Sequence, residues 1–115
     1  MTTEHKPWTG VDLDGTLAKY DSWEGPEHIG EPVPLMALRV INMLERGIEV
    51  RILTARVCSI QPPGVALAAR KAIEVWCMKH LGQRLMVTAE KDYMMEAFYD
   101  DRAIPVEPNT GRLLL

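Results

Sequence analysis

The chain has 115 residues, which is enough for one folded domain with a single core but too few for a second domain of ordinary size. A formal net charge of -3 and a pI near 5.6 exclude a chain-wide basic surface, so binding to nucleic acid would need a local patch. The two cysteines form no C-x-x-C pair, so we expect a reduced cytoplasmic protein. No apolar run reaches the roughly 18 to 20 residues that span a bilayer, so we expect one soluble domain, residues 1–115, without membrane contact.

Apolar, β-branched and turn residues predict strands that alternate with helices. In chain order, the predicted elements are a strand over Trp8–Leu13, a loop over 17–31, a helix over Pro34–Arg46, a strand over Ile48–Leu53, a helix over Val65–Leu81, and short strands over Leu85–Val87 and Ala97–Tyr99. Gly10 weakens the first strand, and Gly47 and Gly82 occupy the positions of C-terminal helix caps. Residues 102–115 could add a fifth strand through a hairpin at 108–111.

This order favours a three-layer, Rossmann-like α/β fold, in which a mostly parallel sheet carries helices on both faces. Sheets of this kind bind ligands outside the carboxyl ends of their strands. Asp12, Thr54 and Asp100 each stand at or just past the end of a predicted strand. We therefore expect a functional site at this edge of the sheet.

The stretch GVDLDGTLAKY, residues 10–20, places Asp12 and Asp14 directly before Gly15, and three interpretations compete. A polar turn with solvated carboxylates is favoured for an isolated D-x-D-G. A calcium loop of the EF-hand type is disfavoured, because Gly10 would take its first ligand position and no helix precedes it. The third interpretation is a nucleophile beside a metal, and residues further along the chain support it.

Four segments together resemble, in order and in strand context, the motifs of the haloacid dehalogenase-like (HAD) phosphohydrolases. They are DLDGT (Asp12–Thr16), ILTAR (Ile52–Arg56), Lys91 and YDD (Tyr99–Asp101). The resemblance covers nearly the whole chain. The sequence around these motifs resembles that of small members of the family found in bacteria and their phages.

The resemblance implies a HAD-like, Mg²⁺-dependent phosphatase, with Asp12 as the nucleophile that forms an aspartyl-phosphate and Asp14 as general acid and then general base. Thr54 would hydrogen-bond a phosphoryl oxygen, and Lys91 would neutralise its charge. The implied phosphate-binding residues are Asp12, Leu13, Asp14, Gly15, Thr54, Ala55 and Lys91. The implied Mg²⁺ ligands are Asp12, the backbone carbonyl of Asp14, and Asp100. Asp101 would either bind Mg²⁺ through a water molecule or orient Lys91.

Family members that act on small substrates usually carry a cap domain, and this sequence has no room for one. Residues 18–33 can form only a flap, and residues 88–90 only a short loop. An open site suits a bulky substrate, such as a phosphorylated nucleic-acid end or a protein, or else a partner subunit supplies the lid. The substrate could be a nucleotide or a polynucleotide phosphate.

Other classes of protein are weighed against the phosphatase. A HAD-fold binding or assembly module would keep the metal but have little turnover, and the apolar end Leu113–Leu115 indicates an interface, such as that of a homodimer. A response-regulator receiver is disfavoured, because its acidic pair comes at the first strand, whereas the pair here is the late Asp100-Asp101. Neither glycine signature of a Rossmann or P-loop nucleotide binder occurs.

Arg56 could either reach the substrate or pair with an acidic neighbour, and Cys77 is expected in the core.

Overall fold

A parallel sheet of four strands forms the centre of the fold in a computed structural model, which describes residues 6–115. The strands are β1 (Trp8–Val11), β2 (Val50–Leu53), β3 (Met86–Thr88) and β4 (Met95–Tyr99), in the spatial order β3-β2-β1-β4. The helices are α1 (Pro34–Glu45), between β1 and β2, and α2 (Pro63–Leu81), between β2 and β3, and a short 3-10 helix (Ala55–Val57) follows β2. Every pairing is parallel, so the predicted α/β architecture with a parallel sheet is confirmed.

Proline and glycine set the ends of both helices. Pro34 and Pro63 stand in the first turn, where a missing N–H costs no hydrogen bond and the fixed φ suits a helix. Gly47 and Gly82 follow the helices with φ of +80° and +84°, as predicted for helix caps. Neither helix within residues 6–115 has the length and hydrophobicity needed to cross a bilayer.

Both helices share one core with one face of the sheet. Val11, Ile52 and Val87 form a register row across β1, β2 and β3, and they belong to a single buried cluster. The members that the helices contribute are Met36, Val40 and Met43 from α1 and Ala69, Ile73, Trp76, Cys77 and Leu81 from α2. Right-handed crossovers that run in the same direction along a sheet place their helices on the same face, so helices on both faces are not confirmed.

The second face carries Trp8, Gly10 and Arg51, and Asp92 from the segment between β3 and β4 binds to it. The indole N–H of Trp8 donates to the Asp92 carboxylate at 2.8 Å, and an Arg51 nitrogen lies 3.6 Å from the same carboxylate. The Arg51 guanidinium also lies over the Trp8 ring, 4.5 Å from its centroid. A Cβ at Gly10 would lie 3.2 Å from side-chain atoms of both Trp8 and Met95, so this glycine leaves room for those two side chains on the second face.

The segment after β4 forms a turn but adds no strand to the sheet. Val106 and Leu113 pair in one isolated antiparallel bridge, and the Glu107 N–H donates to the Arg112 carbonyl at 2.7 Å. Asn109 adopts a positive φ of 65°, which asparagine tolerates better than most residues. The predicted hairpin at 108–111 is therefore confirmed, whereas the predicted fifth strand is not formed.

We predict that Asp92→Ala destabilises the fold by about 1–3 kcal/mol, because it leaves the buried Trp8 N–H without this acceptor. Asp92→Asn keeps an acceptor oxygen for Trp8 and removes the charge facing Arg51, so its effect should be smaller. Urea unfolding of both variants measures this, with Glu90→Ala, an exposed acid of the same segment, as the control. Equal stability of wild type and Asp92→Ala would contradict the assignment.

Candidate active site

The carboxyl ends of β1, β2 and β4 open into one cavity of about 700 Å³. Most of the residues predicted for the site line it: Asp12, Asp14, Gly15, Thr54, Ala55, Asp100 and Asp101. Two others do not. Leu13 is fully buried in the core, and Lys91 is exposed in the segment between β3 and β4. The cavity is the place where the predicted nucleophile, acid and metal ligands meet.

Strand register brings Asp12 and Asp100 together. Val11 pairs with Tyr99 in the parallel ladder, so the residue after each strand emerges on the same edge. The Asp12 N–H donates to the Tyr99 carbonyl at 2.9 Å, which extends the ladder by one hydrogen bond. On the other side of β1, the Thr54 N–H donates to the Thr88 carbonyl at 2.9 Å and fixes the end of β2 against β3.

Asp12, Asp100 and Asp101 form an acidic cluster, in which one carboxylate oxygen from each lies within 4.8 Å of the others. Burial, together with a hydrogen bond shared with Asp101 and the charge of Asp100, raises the pKa of Asp12 to about 7. The Thr16 hydroxyl opposes this, since it lies 3.2 Å from an Asp12 oxygen and 3.1 Å from an Asp101 oxygen. Three close oxygen ligands of this kind fit a hard divalent cation such as Mg²⁺.

Gly15 makes the approach of Asp101 to the first strand sterically possible. Its φ is +88°, and a side chain on it would place Cβ 2.6 Å from an Asp101 oxygen. The surrounding turn is closed by the Leu13 carbonyl, which accepts from the N–H groups of Leu17 and Ala18 at 3.0 and 2.9 Å. The Gly15 N–H itself donates to the Ala18 carbonyl at 2.8 Å, so this predicted phosphate donor is already used within the turn.

Arg56 pairs with Asp14, which is one of the two roles that the sequence left open for it. Its Nε and Nη2 atoms bind the two Asp14 oxygens at 2.7 and 2.8 Å, a bidentate ion pair. Arg56 is only 5% exposed, donates to the Pro26 carbonyl at 3.2 Å, and lies 4.9 Å from the centre of the Trp23 ring. Asp14 is therefore held away from the acidic cluster by a buried cation.

Thr54 is buried and holds the start of the short 3-10 helix. Its hydroxyl oxygen accepts a hydrogen bond from the Arg56 N–H at 3.2 Å. A hydroxyl that accepts one bond still has its own proton to donate. The position at the cavity wall therefore suits the predicted bond to a phosphoryl oxygen.

Cys77 is a core residue, as the sequence predicted. It is fully buried, and burial raises the pKa of its thiol to about 11. A thiol in this state is a poor nucleophile.

Several residues of the cavity were given no role by the sequence reasoning. They are Tyr20, Trp23, Gln61 and Arg102, and Thr16, which contacts Asp12 from outside the cavity lining, was given none either. Signals for some of them exist in the sequence: Thr16 belongs to the DLDGT motif, Tyr20 and Trp23 follow it in the flap, and Arg102 follows the acidic pair. The sequence does not show that the flap turns these two aromatic residues toward the cavity.

Comparison of the chain with protein-family models, with curated proteins and with solved structures gave no match. A functional proposal therefore rests on the motifs and on the geometry of these side chains.

We predict that the acidic cluster destabilises the metal-free protein as the pH rises. The unfolded Asp12 titrates near its usual value of 3.8 and the folded one near 7, so between these values the folded state holds the extra proton. The stabilisation of the folded state by this proton is fully present below about pH 4 and is lost as the pH rises through 7. Without metal at pH 8, Asp12→Asn should therefore melt at a higher temperature than wild type, and at pH 4 the difference should shrink.

Added Mg²⁺ should raise the melting temperature of the wild type at pH 8, and much less that of Asp12→Asn, because a cation relieves the same repulsion. Thermal denaturation with and without Mg²⁺ measures both effects. Asp21→Asn, an exposed acid of the flap, serves as the control. If Mg²⁺ does not change the melting temperature of the wild type at pH 8, the cluster is not a cation site.

Proposed function

We propose that the chain is a Mg²⁺-dependent phosphomonoester hydrolase of the HAD-like type, acting through an aspartyl-phosphate on Asp12. The observation that carries the proposal is the placement of Asp12, Asp14 and Thr54 around one cavity at the carboxyl edge of the sheet. Asp12 belongs there to a group of three carboxylates with the geometry of a cation site. The order of the motifs along the chain supports the same assignment.

Asp12 provides the nucleophile. One of its carboxylate oxygens attacks phosphorus, the bond from phosphorus to the ester oxygen breaks, and the ester oxygen leaves with a proton. Water then hydrolyses the aspartyl-phosphate and regenerates the carboxylate. Mg²⁺ held by Asp12, Asp100 and Asp101, with the Asp14 carbonyl, would keep Asp12 ionised and neutralise charge on the phosphoryl oxygens.

Asp14 provides the proton to the leaving oxygen and later takes one from water. Both of its oxygens are bound to Arg56, so acid catalysis requires that one of these bonds opens and that the freed oxygen takes up a proton from solvent before it donates one. A phosphorylated substrate offers Arg56 other anionic oxygens. Arg56 thus acts as a positioning residue that holds Asp14 until the substrate is bound.

A second cation is needed near the phosphoryl group, and we assign this role to Arg102. The family resemblance gives the role to Lys91, but Lys91 does not line the cavity, whereas Arg102 does. Arg102 directly follows the acidic cluster along the chain. Its side chain is exposed, so it can move toward a bound anion.

The closed Asp14–Arg56 pair favours one alternative function, a binding or assembly module of the same fold with little turnover. In such a module the pair would stay closed, and the site would hold a cation or a phosphorylated partner without cleaving it. The exposed side chains of Leu113 and Leu115 would belong to its interface, for example in a homodimer.

We predict that the protein with Mg²⁺ hydrolyses both an aryl phosphate and an alkyl phosphate, and that Asp12→Asn lowers kcat for both at least about 10³-fold. Asp14→Asn should lower kcat for the alkyl ester by about 10²- to 10⁴-fold. Its effect on the aryl ester should be smaller, because an aryloxide leaves without needing a proton.

Phosphate release measures these rates, and trapping of labelled phosphate on the wild-type protein tests for the covalent step. Asp21→Asn is the matched control, since it removes a carboxylate of the flap outside the acidic cluster. An Asp12→Asn variant with wild-type activity would overturn the assignment. Binding of Mg²⁺ and a phosphate ester without any turnover would favour the binding module.

We also predict that Arg102→Ala raises KM for a phosphate ester about tenfold or more, because it removes a charge-assisted contact to the phosphoryl group. Lys91→Ala should change KM less than threefold, and the two variants remove one positive charge each, so they control for net charge. Steady-state kinetics at constant ionic strength measures the difference. A large effect of Lys91→Ala with none for Arg102→Ala would reverse the two assignments.

A further inference from the structure

Two exposed aromatic side chains of the flap line the cavity beside the acidic cluster, and none of the steps above uses them. Tyr20 is 44% exposed and Trp23 is 49% exposed, and both belong to the cavity wall. Transfer of a phosphoryl group requires charge and hydrogen bonds rather than aromatic surface. These two rings therefore indicate contacts with the part of a substrate that lies beyond its phosphate.

Trp23 is held in place from one side. Its ring packs on the guanidinium of Arg56, which is itself fixed by Asp14 and by the Pro26 carbonyl. A cation against one side of an indole is a favourable contact and restrains the ring. Trp23 is still half exposed, so apolar ring surface remains available to a ligand while the contact with Arg56 restrains the side chain.

The cavity has room for more than a phosphoryl group. Its volume of about 700 Å³ is in the range of sites that enclose a whole small ligand. Gln61 adds an amide that can donate and accept at the same wall, which suits the polar edge of a planar ring. Aromatic surface, an amide and two arginines around one cavity match the parts of a nucleotide: a base, its edge and its phosphate.

We propose that the substrate of this site is a nucleotide phosphomonoester whose base stacks on Trp23, with Tyr20 as a second aromatic contact. The location of the phosphate rests on the proposed function, whereas the stacking contact does not depend on turnover. Stacking is tolerant of base identity, because every base has a π-face. The site therefore accepts different bases and selects against phosphate esters that carry no aromatic group.

Equilibrium binding tests the proposal without relying on catalysis. Isothermal titration with Mg²⁺ compares three probes: adenosine with a 5′-methylenephosphonate in place of its phosphate, propyl phosphonate, and adenosine. Trp23→Leu should weaken the adenosine phosphonate about 5- to 150-fold, the range expected for the stacking of one base. It should change the affinity for propyl phosphonate less than twofold, and Trp23→Phe should restore most of the loss.

Tyr93→Leu is the matched control, since it removes a fully exposed aromatic ring from the segment between β3 and β4. An equal loss for both phosphonates in Trp23→Leu would overturn the proposal, because Trp23 would then act only by holding Arg56. Equal wild-type affinities for the two phosphonates would overturn it as well, while leaving the phosphatase in place. Trp23-dependent binding of adenosine, with no gain from the phosphonate, would support stacking and contradict the proposed phosphate site.

Turnover separates the two sources of such a substrate. Phosphate release from 5′-AMP and from a short 5′-phosphorylated single strand should both decrease in Trp23→Leu relative to glycerol phosphate. A higher kcat/KM for the oligonucleotide identifies a polynucleotide end, and a higher value for 5′-AMP identifies a free nucleotide. Glycerol phosphate as the preferred substrate would overturn the inference.

Discussion

Repulsion among three carboxylates is the constraint that organises this site. The parallel register of β1 and β4 delivers Asp12 and Asp100 to the same edge, and Asp101 completes a group whose oxygens lie within 4.8 Å of one another. Half-burial makes this charge costly, which is why the pKa of Asp12 rises to about 7. A proton on Asp12 or a cation bound by the cluster would relieve this cost.

Contacts around β1 and β4 accommodate the acidic cluster. Gly15 has no side chain to obstruct Asp101, and Gly10 leaves room for the side chains of Trp8 and Met95 on the second face. On the second face of the sheet, Asp92 binds Trp8 and so fixes the segment that leads into β4. The pairing of Val11 with Tyr99 fixes the end of β4, and the end of β4 determines where Asp100 and Asp101 begin.

The residues that sequence reasoning located are those fixed by strand direction. Asp12, Thr54 and Asp100 each follow a strand of a parallel sheet, and strand ends meet at one edge whatever the loops do. The orientation of Trp23 depends on how the flap folds back, which no periodicity encodes. The pairing of Arg56 with Asp14 depends on how the 3-10 helix after β2 lies against the turn after β1, which sequence patterns do not state. The side of the sheet taken by each helix depended on strand order, which the sequence does not state.

Asp12 and Asp14 are one residue apart and yet have opposite electrostatic surroundings. Asp12 faces two other carboxylates, whereas both oxygens of Asp14 face the guanidinium of Arg56. Two carboxyl groups in different environments can take different chemical roles, because one needs a cation and the other already has one. Trp23 packs on that same guanidinium, so a ligand that stacks on Trp23 contacts the group that holds Asp14. Under the proposed function, base recognition and release of Asp14 would therefore be linked through Arg56.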